Sequence, residues 1–299
     1  MRHIYRFITL AALTFSNSVY AMTAFLEAID WRATETNDWC YVNSQQLPHQ
    51  TIDYKSIDFS YAPGFRLGGI YSASTWDSLL SFTHLYTTAN DSTVGNVRPS
   101  FSGSVTASPP GYLFKSGSVN QSIDFNIIDL NFGKQFNPSG SLTLHPIAGI
   151  MGGWINQSIH ASFQGSTSAR ENISNNFTGL GPKAGIDTNF VLFDYKDFQP
   201  KFVAAFAASY LMGHWDISDV TRATPNKTVY VNGVSHNLGA LTLQTSMGVK
   251  VEHNNFALKL AYEISDWFNQ SQFFDNDTGT HNNDLILQGL TFGVAYDFR

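Results

Sequence analysis

The sequence predicts an all-β fold: a transmembrane, antiparallel up-and-down β-barrel of about ten strands, with eight to twelve compatible, having short periplasmic turns and long outer loops. Three observations carry this expectation. Charged residues make up only 13% of the chain, while 24 Phe, 13 Tyr and 6 Trp make it rich in aromatics; a soluble domain of this length normally carries about a quarter charged residues. Past the N-terminus, no apolar run reaches the roughly 20 residues that a membrane helix requires. Apolar and polar residues instead alternate along successive segments, as in strands that turn one face to lipid and the other to a lumen.

The one apolar block lies at the N-terminus. Arg2, His3 and Arg6 precede the short core Phe7–Phe15, and Val19-Tyr20-Ala21 closes it with a cleavage pattern. Residues 1–21 are therefore expected to be a signal peptide, leaving 22–299 as a single barrel domain. Losing Arg2 and Arg6 leaves 15 basic residues against 23 acidic, a net charge of −8. That balance argues against nucleic acid as a partner. The single cysteine, Cys40, has no internal partner, so it either pairs between chains or is a buried small residue.

Taken in order, the first segment is Thr23–Ala33, where Glu27 interrupts a face of Phe25, Ile29, Trp31 and Ala33. The second sets Ile57, Phe59, Tyr61, Phe65, Leu67 and Tyr71 against Asp58, Ser60, Ala62, Gly64, Arg66 and Gly68, with Pro63 suggesting a bulge. Trp76–Thr87 is the third. Asn120–Phe136, the fourth, changes parity near Ile127-Ile128, a second expected bulge; it then places Ile128, Leu130, Phe132 and Phe136 outward and Asp129 inward. Asn137-Pro138-Ser139-Gly140 turns the chain into Ser141–Gln157. Asn176–Phe193 divides cleanly, with Leu180, Pro182, Ala184, Ile186, Phe190 and Leu192 opposite Lys183, Asp187 and Asn189. Ala-rich Lys201–Trp215 has no clear facing. Leu238–Glu252 and Phe256–Phe268 join through His253-Asn254-Asn255.

The last strand, Leu285–Arg299, carries Leu290, Phe292, Val294, Tyr296 and Phe298 on one face and Gly289, Thr291, Gly293 and Ala295 on the other. An open sheet edge cannot persist in lipid, so this strand is expected to close the barrel against Thr23–Ala33. Phe292, Tyr296 and Phe298 form the closing signal through which the barrel assembly machinery is expected to recognise the chain. The connections run long, short, long, short throughout, which puts both ends on the periplasmic side and gives an even strand count. Trp31, Tyr71, Trp76, Tyr86, Trp154, Trp215, Trp267 and Tyr296 are expected in the two interfacial girdles. The stretches 88–119, 158–175 and 216–237 are polar and are expected to be loops.

Several stretches resemble the pore-forming major outer membrane proteins of Legionella and related bacteria. They are Tyr61–Gly68, Trp76-Asp77, Asn126–Leu130, Leu142–Pro146, Gly153–Gln157, Gly179–Asn189 and Leu287–Thr291, with Gly179–Asn189 the most specific. The resemblance implies a porin-like role in the outer membrane: passive diffusion of ions or small solutes through the lumen. It also implies family arginines where this chain has His145, Met151 and Lys183, so a basic lining is weaker here.

The residues expected to line the lumen are Asp58, Arg66, Asp77, Asp129, His145, Lys183, Asp187, Lys250, Glu252, Lys259 and Glu263. Mixed signs in a narrow barrel either pair and fill it or line a water path. A closed barrel using its outer loops for structural or adhesive contact is the alternative. A catalytic role is not expected: there is no His-x-x-x-His pair and no Gly-x-Ser-x-Gly elbow. The pair His214 and Asp216, where a strand meets an outer loop, is the one feature that suits a surface hydrolase. No cofactor or metal is expected. Outer-membrane lipid, small solutes or ions, the assembly machinery and further copies of this chain are the expected partners.

Overall fold

The computed structural model describes residues 20–35, 37–46, 49–73, 76–101, 114–193, 198–224, 228–275 and 279–298. Most of the expected leader and Arg299 lie outside them. The described residues form twelve strands: β1 (Tyr20–Thr34), β2 (Asp38–Gln46), β3 (His49–Ser56), β4 (Tyr61–Ala73), β5 (Trp76–Pro99), β6 (Phe114–Lys134), β7 (Leu142–Gln164), β8 (Ser168–Val191), β9 (Phe198–Thr224), β10 (Thr228–His253), β11 (Phe256–Asp275) and β12 (Gly279–Phe298).

Ten of these form a closed antiparallel ring in the order β1, β4, β5, β6, β7, β8, β9, β10, β11, β12 and back to β1. Each of the ten segments expected from the alternation overlaps one strand of the ring. The closing seam runs Met22↔Phe298 to Thr34↔Ile286, so the terminal strand meets the first one as expected. The two additional strands, β2 and β3, form a hairpin leaning on the outer end of β5 through Cys40↔Pro99, Tyr41↔Arg98 and Val42↔Val97. At the opposite end, β10 and β11 join through Asn254-Asn255, with Asn254 at a φ of 53°. Asparagine tolerates that left-handed conformation, which a two-residue hairpin requires.

The strands are much longer than a membrane crossing needs. β9 has 27 residues, whereas about 9–11 tilted residues span the hydrocarbon. The excess stands beyond the outer surface and absorbs stretches expected to be loops. β7 and β8 pair from Leu142↔Phe190 all the way to Gln164↔Ser168, leaving a three-residue turn in place of the expected loop 158–175. The stretch 216–237 is likewise mostly β9 and β10, and 88–99 with 114–119 extends β5 and β6.

Neither expected bulge forms. The β5–β6 register is unbroken through Ile127 and Ile128, and β6 keeps its odd residues inward from Gly117 to Gly133. What changes near Ile127 is the solvent. Below it, apolar side chains face lipid, with Ile128, Leu130 and Phe132 exposed on the wall; above it, Ile123, Phe125 and Ile127 are buried inside. Pro63 sits on an unshifted β1–β4 register, and the β4–β5 ladder begins only at Gly64. Burying apolar groups on whichever side lacks water inverts the pattern at the membrane boundary.

The same inversion corrects other expectations. In the first strand Ile29, Trp31 and Ala33 point inward and are buried, and Leu26 faces lipid. Ile57 and Phe59 are also buried. Trp215 and Trp267 are fully enclosed in the outer half, away from any girdle, while Trp76 and Tyr86 are exposed on the outer wall. Cys40 is a free, buried thiol, the second of the two expected states.

Candidate functional site: a charged lower lumen under an aromatic layer

Inside the lower half, three strands, β1, β4 and β11, bring together two cations and two carboxylates. Arg66 on β4 donates from Nη1 to Glu27 Oε2 at 2.6 Å and from Nη2 to Glu263 Oε2 at 2.9 Å. Its Nε donates to Thr83 Oγ1 at 3.0 Å. Lys259 Nζ bridges Glu27 Oε1 at 3.1 Å and Glu263 Oε1 at 3.3 Å. These pairs reach across β12, whose inward face carries the small residues that the terminal segment showed. A Cβ on Gly293 would lie 3.0 Å from the Glu27 side chain, so a larger residue there would push the carboxylate off its cations.

Further round the wall, Lys183 Nζ donates to Asp129 Oδ1 at 2.8 Å. His145 lies between Asp77 (3.0 Å) and Asp187 (3.4 Å). Glu252 accepts from Lys201 at 2.6 Å and Lys250 at 2.8 Å. Every one of these charged groups therefore has an opposite partner, which is what a low-dielectric interior requires. The pairs hug the wall and leave a cavity of about 610 Å³ that reaches from Asn254, Asn255 and Asp297 at the periplasmic rim up to Trp31 and Phe125.

Of the eleven residues expected to line the lumen, ten line this cavity. Asp58 does not. It lies on the outside, its side chain 83% exposed, 3.7 Å from Arg32, because the chain before Tyr61 has already left the ladder of β4. Two members escape the sequence reading. Glu27 was visible as the interruption of an apolar face, and the structure explains it as an inward carboxylate on a strand whose inner face turns apolar above it. Lys201 sits in the Ala-rich strand without clear facing.

Above the charged level, aromatic side chains fill the bore. Phe125 on β6 meets Trp267 on β11 edge-on at 5.4 Å between centroids. These strands are five places apart in the ring of ten, so that contact spans the diameter. Phe177 packs on Trp215 at 4.3 Å and on Trp267 at 6.5 Å. Arg66 lies 5.5 Å under the Trp31 ring, joining the two levels.

Over this layer lies a buried polar one. Glu35, just past β1, accepts from Gln121 Nε2 at 2.6 Å, Gln157 Nε2 at 2.7 Å and Asn37 Nδ2 at 3.2 Å. Complete burial outweighs these donors and pushes its carboxyl up to about 7. Higher still, Trp39 stacks on Phe163 at 5.9 Å.

A closed ten-stranded ring with apolar side chains facing out and paired charges within defines an outer-membrane β-barrel. The chain belongs to the family of the Legionella pneumophila major outer membrane protein precursor, whose pattern matches residues 17–298. No curated protein matches the sequence. Among solved structures, the outer membrane protease OmpT of Escherichia coli is similar with a TM-score of 0.50 at 11% identity, over 93% of this chain and 97% of that one. The Pseudomonas putida toluene transporter TodX aligns at 0.37 and 8% identity, over 95% and 91%. The likeness to OmpT concerns the fold alone.

Proposed function

We propose that this protein is a closed-lumen outer-membrane barrel whose work is done at the cell surface by its outer half and loops. The observation that carries this reading is the contact across the full diameter between Phe125 and Trp267, backed by Phe177 and Trp215. Ten-stranded rings are close to the size that side chains fill. The lower cavity is then a blind vestibule, and its paired charges stabilise the wall.

A second reading, passive diffusion of ions or small solutes, draws support from that same polar cavity of about 610 Å³ and its two-sign lining. Planar-bilayer recording on refolded, heat-modifiable protein separates the two. The closed barrel gives no stepwise conductance; regular steps in folded wild-type protein would refute it and establish the diffusion path.

A further inference from the structure

We propose that the outer wall of this barrel carries a Ser–His–Asn hydrolytic triad, Ser235, His214 and Asn237, acting on carboxylic esters of outer-leaflet lipids. His214 lies on β9 with its side chain outward, and Asn237 is its direct register partner on β10. His214 Nδ1 is 2.9 Å from Asn237 Oδ1, and His214 Nε2 is 3.1 Å from Ser235 Oγ. An amide oxygen only accepts, so the imidazole proton resides on Nδ1 and the Nε2 lone pair faces the serine hydroxyl, which donates to it. This is the arrangement of nucleophile, general base and orienting group that activates a hydroxyl, recognised by geometry and independent of chain order.

The position selects the substrate. Directly below the triad the wall is apolar, with Met212 70% exposed beside Leu180, Tyr210 and Leu241. Above it the outward residues of β9 include Asp216, Arg222 and Thr224. His214 is two residues from Met212, about 7 Å along the strand. The triad thus sits at the level where acyl chains give way to headgroups, which is where the ester bonds of amphipathic lipids lie. Tyr210 leans over Gly239 toward this site, where any side chain would collide with its hydroxyl.

The site also has a source of oxyanion donors. Among the described residues, β10 pairs with β11 only from Thr242 onward, while its outer stretch pairs with β9 alone. Alternate N–H groups along 228–241 therefore point away from the ladder, as antiparallel geometry dictates.

In the reaction, Ser235 Oγ attacks the ester carbonyl carbon as its proton passes to His214 Nε2. The tetrahedral oxyanion collapses, the bond to the alcohol oxygen breaks, and that oxygen takes the proton from His214. Water then attacks the acyl-serine, gives a proton to His214, and releases the fatty acid as Ser235 regains its hydrogen. The net change is ester plus water to acid plus alcohol. The inference holds whether the lumen is closed or open, and it goes beyond the absence of catalysis expected from sequence.

The test uses the folded full chain in detergent micelles, with a fluorophosphonate probe and with p-nitrophenyl palmitate and butyrate. Wild type is expected to label at Ser235 and to hydrolyse the palmitate ester, while Ser235→Ala and His214→Gln each lose about 10²–10⁴-fold. As a positioning residue, Asn237 has its own readout: Asn237→Asp keeps an acceptor and the labelling rate, whereas Asn237→Ala slows labelling about tenfold or more. Heat-modifiable mobility shows that each variant is folded. Wild-type rates equal to those of Ser235→Ala, or label on another residue, overturn the triad. Faster cleavage of butyrate than palmitate overturns the assignment to lipid.

Discussion

The lower and outer halves of this barrel are built from the same ten strands under opposite rules. In the lower half the wall turns Leu67, Phe206, Leu258 and Phe292 outward, and the interior is held by ion pairs such as Arg66 with Glu27 and Glu263. In the outer half the wall is polar, and the interior is a core of Trp39, Phe125, Phe163, Phe177, Trp215 and Trp267. The change requires no bulge and no new element. It teaches that the direction of a strand's alternation is set by its surroundings, whereas its period is set by the backbone.

If the outer half is a true core, shrinking it should be the most damaging change. Trp267→Ala is expected to cost about 3–5 kcal/mol, read as a lower unfolding midpoint, and to raise bilayer conductance by removing one side of the diameter contact. A stable, silent Trp267→Ala barrel would mean that the aromatic layer neither supports nor seals it.

The lower half should fail through charge. Arg66→Met strands Glu27 and Glu263 with only Lys259 between them, at a cost of up to about 3–5 kcal/mol. Adding Glu263→Gln to Arg66→Met should recover part of that loss. Denaturant unfolding in lipid of the single and double variants checks this, and an additive double variant would show that the quartet is not coupled.

The polar layer around Glu35, set within the outer half above the Phe125–Trp267 contact, gives a smaller, pH-dependent effect. Glu35 has a folded pKa of about 7 against 4.5 normally, so the folded state holds its proton more tightly. That contribution is complete below about pH 4.5 and is lost as pH rises through 7. Wild type should therefore be less stable at pH 8 than at pH 5 by about 1–3 kcal/mol. Glu35→Gln should flatten that slope, as measured by thermal unfolding at the two pH values; an unchanged slope would remove Glu35 as its source.

The smallest equilibrium effect belongs to the seam. Phe298 pairs with Met22 and is exposed to lipid. Phe298→Ala should change unfolding by about 1 kcal/mol while markedly slowing membrane insertion. Insertion at the wild-type rate would show that the terminal aromatic plays no part in assembly.

These two regimes explain what could be read in the sequence. The clean division of Gly179–Asn189 and the Leu290–Phe298 stripe located strands correctly, because lipid on one side and polar groups on the other give full contrast. Ser158–Asn175 looked like a loop because, in water, its outward side is polar and its inward side mixes Ile159 and Phe163 with Glu171 and Asn175. The lumen charges were legible as polar residues on the inner parity; Asp58 was misplaced because parity was carried past the end of a ladder. Glu35 gave no signal at all, since its burial depends on Gln121 and Gln157 arriving from two distant strands. The triad was half visible: His214 stood out, but its register partner lay in a stretch that looked unstructured.

The buried thiol of Cys40 gives the outer half an intrinsic clock. Carried on β2 where the hairpin meets the end of β5, fully enclosed, with burial pushing its ionisation up to about 12, it is almost entirely un-ionised at neutral pH and shielded from alkylating reagents. The rate at which a maleimide captures it would therefore report how often the hairpin lifts from the end of β5, separately from the melting of the membrane-embedded wall.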